Sequence, residues 1–377
     1  MIEVLIFVFA LIGALFVWVI ISTRRSIGYI FCNATISAWE ARLLSEARLM
    51  ELAEAQGIVN IFSALEDTEY RPRLAEVTKG DKVDMIAVER ALRESLNARY
   101  RELVSMVPNE RKGTILRVLQ QVDLWNLKVL ITMIHNKVPK EQRLQELIPS
   151  PTMPPERLEM LASAEDLNGL LEFLRGSEQF EVISAALGDY EKRGLIALLS
   201  ALDKHYYTSL WKDVRAKRAQ RSILEVMIGY EIDSVNIKLI LRLKQEGAPP
   251  DEIDKYVVRP SHELTDAMLK AMITAEDIRS AIQMIHNTTH SKVLAEALPQ
   301  IEEKGIPAAE RVLDEAYLKL CRWFGLTQFF GIAPVISFMH IKENEMRNLR
   351  AIIRLKVDGV EAPKIKERIK RVPKIGL

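Results

Sequence analysis

His286-Asn-Thr-Thr-His290 is the one spacing in this chain that suits metal ligation, because two imidazoles at i and i+4 share a helical face. The glutamate of a zinc-protease motif and a third ligand do not accompany it, so the pair reads as surface or capping histidines. Other chemistry is no better served. No glycine-rich loop ends in Gly-Lys-Ser/Thr, so the chain is expected neither to bind nor to cleave nucleotide. No Gly-x-Ser-x-Gly elbow or Cys/His nucleophile arrangement occurs, and an enzyme would need a deep polar pocket around His286 and His290. Cys32 and Cys321 have neither metal nor disulfide spacing and fit a reducing compartment as small apolar residues. Lys and Arg number 52 against 51 Asp and Glu, a balance that argues against a nucleic-acid-binding body. The basic run Lys364, Lys366, Arg368, Lys370, Arg371 and Lys374 reads as a solvated, partly frayed end, with attraction to an anionic membrane or partner as the alternative. No metal or cofactor is called for.

The elements beneath these residues follow a repeat. Asp123-Leu-Trp-Asn126-Leu-Lys128 returns as Asp233-Ser-Val-Asn236-Ile-Lys238 and as Glu345-Met-Arg-Asn348-Leu-Arg350, at intervals of 110 and 112 residues. Behind each asparagine the apolar residues fall at i, i+3 and i+4: Leu127, Leu130 and Ile131, then Ile237, Ile240 and Leu241, then Leu349, Ile352 and Ile353. Gly247 and Gly359 end the last two copies, as a helix stop that tolerates left-handed backbone. The asparagines are expected near a helix start or an interhelical contact, satisfying backbone groups. Their flanking acids and bases are expected on a solvated face, with any bridges between units worth little.

Front halves repeat as well. Ser163-Ala-Glu-Asp-Leu167 lies 111 residues before Thr274-Ala-Glu-Asp-Ile278, and Leu202-Asp203 with Tyr206 lies 111 before Leu313-Asp314 with Tyr317. Glu89-Arg90 to Leu92 echoes Glu310-Arg311 to Leu313. Ser163 and Thr274 read as helix starts. Tyr29 to Ala55 reads as one long helix, Pro108 to Gly113 as an interruption, and Lys137 to Pro155, with Pro139, Pro149, Pro151 and Pro154 inside it, as a linker. Sustained period-two runs are lacking, so the chain is expected to be all-α. At 377 residues it exceeds one ordinary core. The expected division is a membrane helix over 1–26 and three helical repeats over 27–150, 151–259 and 260–377, each with its own core.

Val4 to Ser22 contains no charge, and as a helix it would extend roughly 28 Å, near a bilayer's hydrocarbon thickness. The acidic start and the lack of a small-x-small site argue against a cleaved signal. Arg24-Arg25 then places the body on the cytoplasmic side of the cell membrane, with residues 4–22 in lipid.

Tyr29-Ile-Phe31-Cys-Asn33-Ala34-Thr-Ile36-Ser-Ala38-Trp-Glu-Ala-Arg42-Leu43-Leu44 resembles the opening helix of the C subunit of the archaeal-type rotary ATP synthase, the family that includes the d subunit of vacuolar ATPases. Thr35 and Ser37 replace two arginines of that pattern. Thr68 and Tyr70 are similar to a later Leu-x-x-Thr-x-Tyr segment, and Asn348-Leu349-Arg350 followed by Gly359 to the final repeat. The resemblance covers about Tyr29 to Ile369 and implies three bundles around a pseudo-threefold axis forming a funnel. Such a body would be a non-catalytic rotor spacer between central-stalk subunits and the membrane rotor ring. The apolar first helix is where this chain departs from the family pattern. A membrane-tethered helical scaffold with no part in rotation is the rival reading.

Overall fold

The computed structural model describes residues 2–77, 85–216, 223–259 and 261–372, and every regular element among them is an α-helix. The first third holds α1 (Ile2–Glu40), α2 (Glu46–Glu54), α3 (Ile58–Ala64), α4 (Arg71–Val77), α5 (Met85–Met106), α6 (Asn109–His135) and α7 (Lys140–Glu146). The second holds α8 (Pro155–Ala162), α9 (Leu167–Leu174), α10 (Glu178–Arg193), α11 (Leu195–Ala216), α12 (Ile223–Gln245) and α13 (Pro250–Tyr256). The third holds α14 (Asp266–Thr274), α15 (Ile278–Gln283), α16 (Thr289–Lys304), α17 (Ile306–Thr327), α18 (Ala333–Val357) and α19 (Ala362–Arg368). Helices α5, α11 and α17 are each 22 residues long, and α7, α13 and α19 are each seven. Between them stand α6, α12 and α18, which carry Asn126, Asn236 and Asn348.

These three long helices stop in one way. Lys137, Gly247 and Gly359, each eleven residues after the asparagine, take positive φ of 56°, 76° and 71°. The next amides, of Val138, Ala248 and Val360, reach back 2.9 Å to the carbonyls of Met133, Leu243 and Leu355. Left-handed backbone at this point lets the outgoing chain fold over the helix end and satisfy carbonyls that would otherwise lack donors.

Packing is cyclic. Helix α6 lies on α11, α12 on α17, and α18 returns to α5. Each long helix is thus covered by its own third and by the following one. For this reason the buried apolar residues form two clusters rather than the three separate cores expected. One joins the first two thirds to α18; the other runs from Ile237 to Leu313, around the second half of α12.

Local expectations need correction at several points. The helix expected across Tyr29 to Ala55 breaks after Glu40, and Ser45 caps α2 by accepting from the Arg48 amide. Pro108 begins α6 rather than interrupting it, and Gly113 lies inside. The caps of α9 and α15 are Asp166 and Asp277, not Ser163 and Thr274; their carboxylates accept from the amides of Gly169 and Ser280 at 2.8 and 2.7 Å. The expected linker from Lys137 to Pro155 is packed structure. It contains α7, it buries Leu147, Ile148 and Met153, and the buried Arg143 guanidinium donates to the carbonyls of Val138 and Ala162. The basic end is folded too: Ile365 and Ile369 are buried, while Lys366, Lys370 and Arg371 pair with Glu54, Asp314 and Glu46. Lys374 lies outside the described residues.

Helix α1 is unbroken from Ile2 to Glu40. Among the described residues no helix is long and apolar enough to cross a membrane. Much of the span expected over 4–22, and Arg24-Arg25 after it, lies outside the residues whose side chains are described.

Gly247→Ala and Gly359→Ala place a Cβ on left-handed backbone. Each is expected to lower unfolding free energy by about 1–2 kcal/mol in urea titrations.

Candidate functional site at the helix junctions

Each repeated asparagine closes a two-bond clamp on the backbone 22 residues ahead. Asn126 Nδ2 donates to the Ile148 carbonyl at 2.7 Å, and its Oδ1 accepts from the Ile148 amide at 2.8 Å. Asn236 does the same with Val258 at 3.0 and 2.8 Å, and Asn348 with Lys370 at 2.8 and 2.9 Å. All three are buried in the middle of long helices, not near a helix start. Residues 148, 258 and 370 follow the short helices α7, α13 and α19. The clamp therefore holds the returning chain where it would otherwise bury an unpaired amide and carbonyl.

The acids three residues before the asparagines are buried rather than solvated. Asp123 accepts from the Ser150 hydroxyl. Asp233 accepts from the amides of His262, Glu263 and Leu264 at 2.9, 2.6 and 3.3 Å, and burial, opposed by those amides, pushes its carboxyl up to about 6. Glu345 accepts from Tyr70 Oη at 3.0 Å, while the buried Lys342 ammonium lies 2.8 Å from that hydroxyl, 3.2 Å from Glu345 and against Glu69. Burial raises the Tyr70 phenol well above its ordinary value. This cluster ties the α3–α4 loop of the first third to α18 of the last.

The bases two residues after the asparagines cross the junctions. Lys128 pairs with Asp203 at 2.6 Å, Lys238 with Asp314, and Arg350 with Glu89 at 3.1 Å. The last pair joins the third repeat to the first, so the ion pairs run around the same cycle as the packing. In the register that aligns Glu89 with Glu310, Arg93 stands where the other copies have Asp203 and Asp314. Arg93 and Arg350 consequently share Glu89 and Glu146, with Arg93 at 2.8 and 3.6 Å and Arg350 at 3.1 and 3.5 Å. Burial, then the neighbouring Arg350 charge, lowers Arg93 to about 10. Burial raises Asp203 against Lys128, whereas at Asp314 the ammonium groups of Lys238 and Lys370 outweigh burial and hold the carboxyl below its usual range.

Five residues before each asparagine stand Gln121, Glu231 and Glu343, and all three line one polar cleft with Tyr207, Tyr317 and His340. Glu231 accepts from Tyr207 and Tyr317 at 3.1 Å each and from Gln121, and Arg347 pairs with Glu343. At about 190 Å³ the cleft is below the several hundred Å³ that ligand pockets typically occupy, and these polar groups are already engaged. Neither His286 nor His290 lines it. His286 is exposed in the turn before α16, whereas His290 is fully buried inside that helix, so the two do not share a helical face. The His290 ring stacks on Tyr230 with centroids 3.9 Å apart, and Nε2 donates to the Tyr230 carbonyl at 3.1 Å. Burial pushes this imidazole down to about 4. It is a core histidine, contrary to the surface or capping role expected.

The residues that resemble a family pattern serve packing. Tyr29 meets Glu110 and Arg111; Asn33 donates to the carbonyls of Phe329 and Gly331; Thr68 accepts from the Tyr70 amide. Leu43 and Leu44 are half-buried, while Ala34 and Arg42 are exposed. Sequence reasoning missed Glu89, Arg93, Asp203 and Asp314 as junction partners, although the 111-residue alignment of the two aspartates carried that signal. Lys342 had none, since Gln120 and Tyr230 stand at its position in the other two copies.

A model of the ATP synthase (C/AC39) subunit family matches residues 32–368. The A-type ATP synthase C subunit of Methanocaldococcus jannaschii is 32% identical over 340 residues, covering 90% of this chain and 85% of that one. The same subunit of Methanothermobacter thermautotrophicus is 30% identical over 368 residues, covering 96% and 92%. That of Pyrococcus horikoshii is 29% identical over 365 residues, covering 95% of each.

Asn126→Ala and Asn236→Ala each strand a buried amide and carbonyl and are each expected to cost about 2–4 kcal/mol in urea unfolding, with a smaller cost for Asn348→Ala, whose partner Lys370 is only partly buried. A second expectation concerns pH. The unfolded His290 protonates below about pH 6.5 while the folded one stays neutral to about pH 4, so its stabilising contribution is complete at neutral pH and falls between those values. The cost of His290→Gln relative to wild type should shrink by about 3 kcal/mol from pH 7 to pH 4, measured by urea unfolding at both. Asp233 titrates with the opposite slope, but it is common to both proteins and cancels in that difference.

Proposed function

This chain belongs to the ATP synthase (C/AC39) subunit family, and on that premise we propose that it is a non-catalytic rotor part of an A-type ATP synthase. It would act as a socket between the central-stalk subunits and the membrane rotor ring. The observation that carries this reading is the cycle of junctions: α6 on α11, α12 on α17 and α18 on α5, each with its asparagine clamp and its ion pair. Such a cycle supports three helical units turned about a common pseudo-threefold axis. The cleft between Gln121, Glu231 and Glu343 would lie on that axis, at the floor of a funnel.

Torque crosses a part of this kind through stiffness. Close-packed interiors deform little, and here every long helix is held on both flanks. Stalk subunits would enter the wide mouth, and the opposite face would sit on the ring's cytoplasmic loops. The apolar stretch over 4–22 would enter the membrane along the axis, because a helix off the axis would sweep past the stator at each turn.

Cross-linking the chain covalently to a ring subunit in the assembled complex should leave ATP turnover and ion pumping intact, since both partners rotate together. Cross-linking it to a stator subunit should stop both. Full coupled turnover with the chain fixed to the stator would refute the rotor assignment.

A further inference from the structure

Among the described residues most of the large exposed apolar side chains lie on α1. From Leu11 to Trp18 every residue of α1 is apolar and every one is exposed, so this stretch has no polar face. A partner docking from one side would leave much of such a helix in water; a hydrocarbon medium covers all of it. Where α1 meets the body, Tyr29, Cys32, Asn33 and Ile36 turn inward, but its outer face still presents Ile27, Ile30 and Phe31. Beside them stands Phe330, 71% exposed, in a loop that Asn33 pins to α1 through the carbonyls on either side of it, those of Phe329 and Gly331. Beyond Phe31 this part of α1 carries Thr35 and Ser37, whose hydroxyls donate back to the carbonyls of Phe31 and Asn33. Among the described residues the other large exposed apolar side chains are the pair Trp323 and Leu326 on α17 and the single Val59, Met284 and Val357, single ones being ordinary for a protein surface.

We infer that Ile27, Ile30, Phe31 and Phe330 form an apolar collar that sits in the headgroup region of the lipid enclosed by the ring, at the point where α1 leaves the body. This deepens the reading that α1 enters the membrane and rests on it. The lengths agree: Val4 to Phe31 as helix extends roughly 42 Å at about 1.5 Å per residue, against about 40–45 Å for a bilayer including its headgroups.

The test is an environment-sensitive fluorophore on single introduced cysteines in the full chain, with Cys32 and Cys321 buried and so protected from labelling. Phe330→Cys reports the collar, Leu15→Cys the insertion of α1, and Met284→Cys is the control on a distant exposed site. The labelled proteins are reconstituted into phosphatidylcholine–phosphatidylglycerol vesicles carrying nitroxide lipids, spin-labelled either at the headgroup or deep in the acyl chain. The expected result is a blue shift at positions 15 and 330, with 15 quenched by the deep nitroxide, 330 by the headgroup nitroxide, and 284 unchanged. Quenching at 15 but not at 330 overturns the collar and leaves insertion standing. Quenching at 330 but not at 15 supports the collar and refutes insertion. A blue shift at 330 without quenching means that protein covers it, which also overturns the proposal, as does no change at any site.

Discussion

The fold depends on an economy of buried amides. When a long helix ends and the chain doubles back, the returning segment brings main-chain N–H and C=O groups into an apolar interior. A carboxamide is the smallest side chain that offers one donor and one acceptor side by side, matching the two faces of a single residue's backbone. Asn126, Asn236 and Asn348 use it so, each on the residue 22 positions ahead. Left-handed backbone at 137, 247 and 359 aims the chain, and a seven-residue helix carries it back. Removing the clamp would leave the turn geometry without its anchor.

Around these anchors the charges are placed to orient neighbours rather than to react. Two junctions use a lysine and an aspartate, and the third uses two arginines with two glutamates. That third junction is also the one that sequence continuity does not supply, since it joins the end of the chain to its beginning. It carries additional polar contacts, from Lys342 to Tyr70, Glu345 and Glu69. Where covalent linkage is absent, more side-chain chemistry gathers.

Much of this was legible in residue order. The repeated asparagine, its apolar followers and the two glycine stops each have a local cause that survives in the sequence. What was not legible had causes at a distance. Lys137 takes the conformation of Gly247 and Gly359 but looks like an ordinary lysine, so the first helix stop was invisible. Its prolines made 137–155 look like a linker, because their spacing gives no sign that Ile148 is held by an asparagine in the preceding helix. The hydroxyls of Ser163 and Thr274 suit a cap by type, yet Asp166 and Asp277, three residues on, hold the extended backbone a cap needs. His290 looked solvated because Tyr230, its stacking partner, lies sixty residues away. Charge balance along the chain likewise said nothing of which lysine meets which aspartate.

The second and last helices also meet. Lys366 reaches Glu54 and Arg371 reaches Glu46, so α19 lies alongside α2. With both ends of the cycle in contact, the point at which the polypeptide is severed becomes a matter of convenience. A short bridge from Val372 to Glu46, with new termini opened between α13 and α14 and α1 set aside, would describe the same circuit of helices in circularly permuted order.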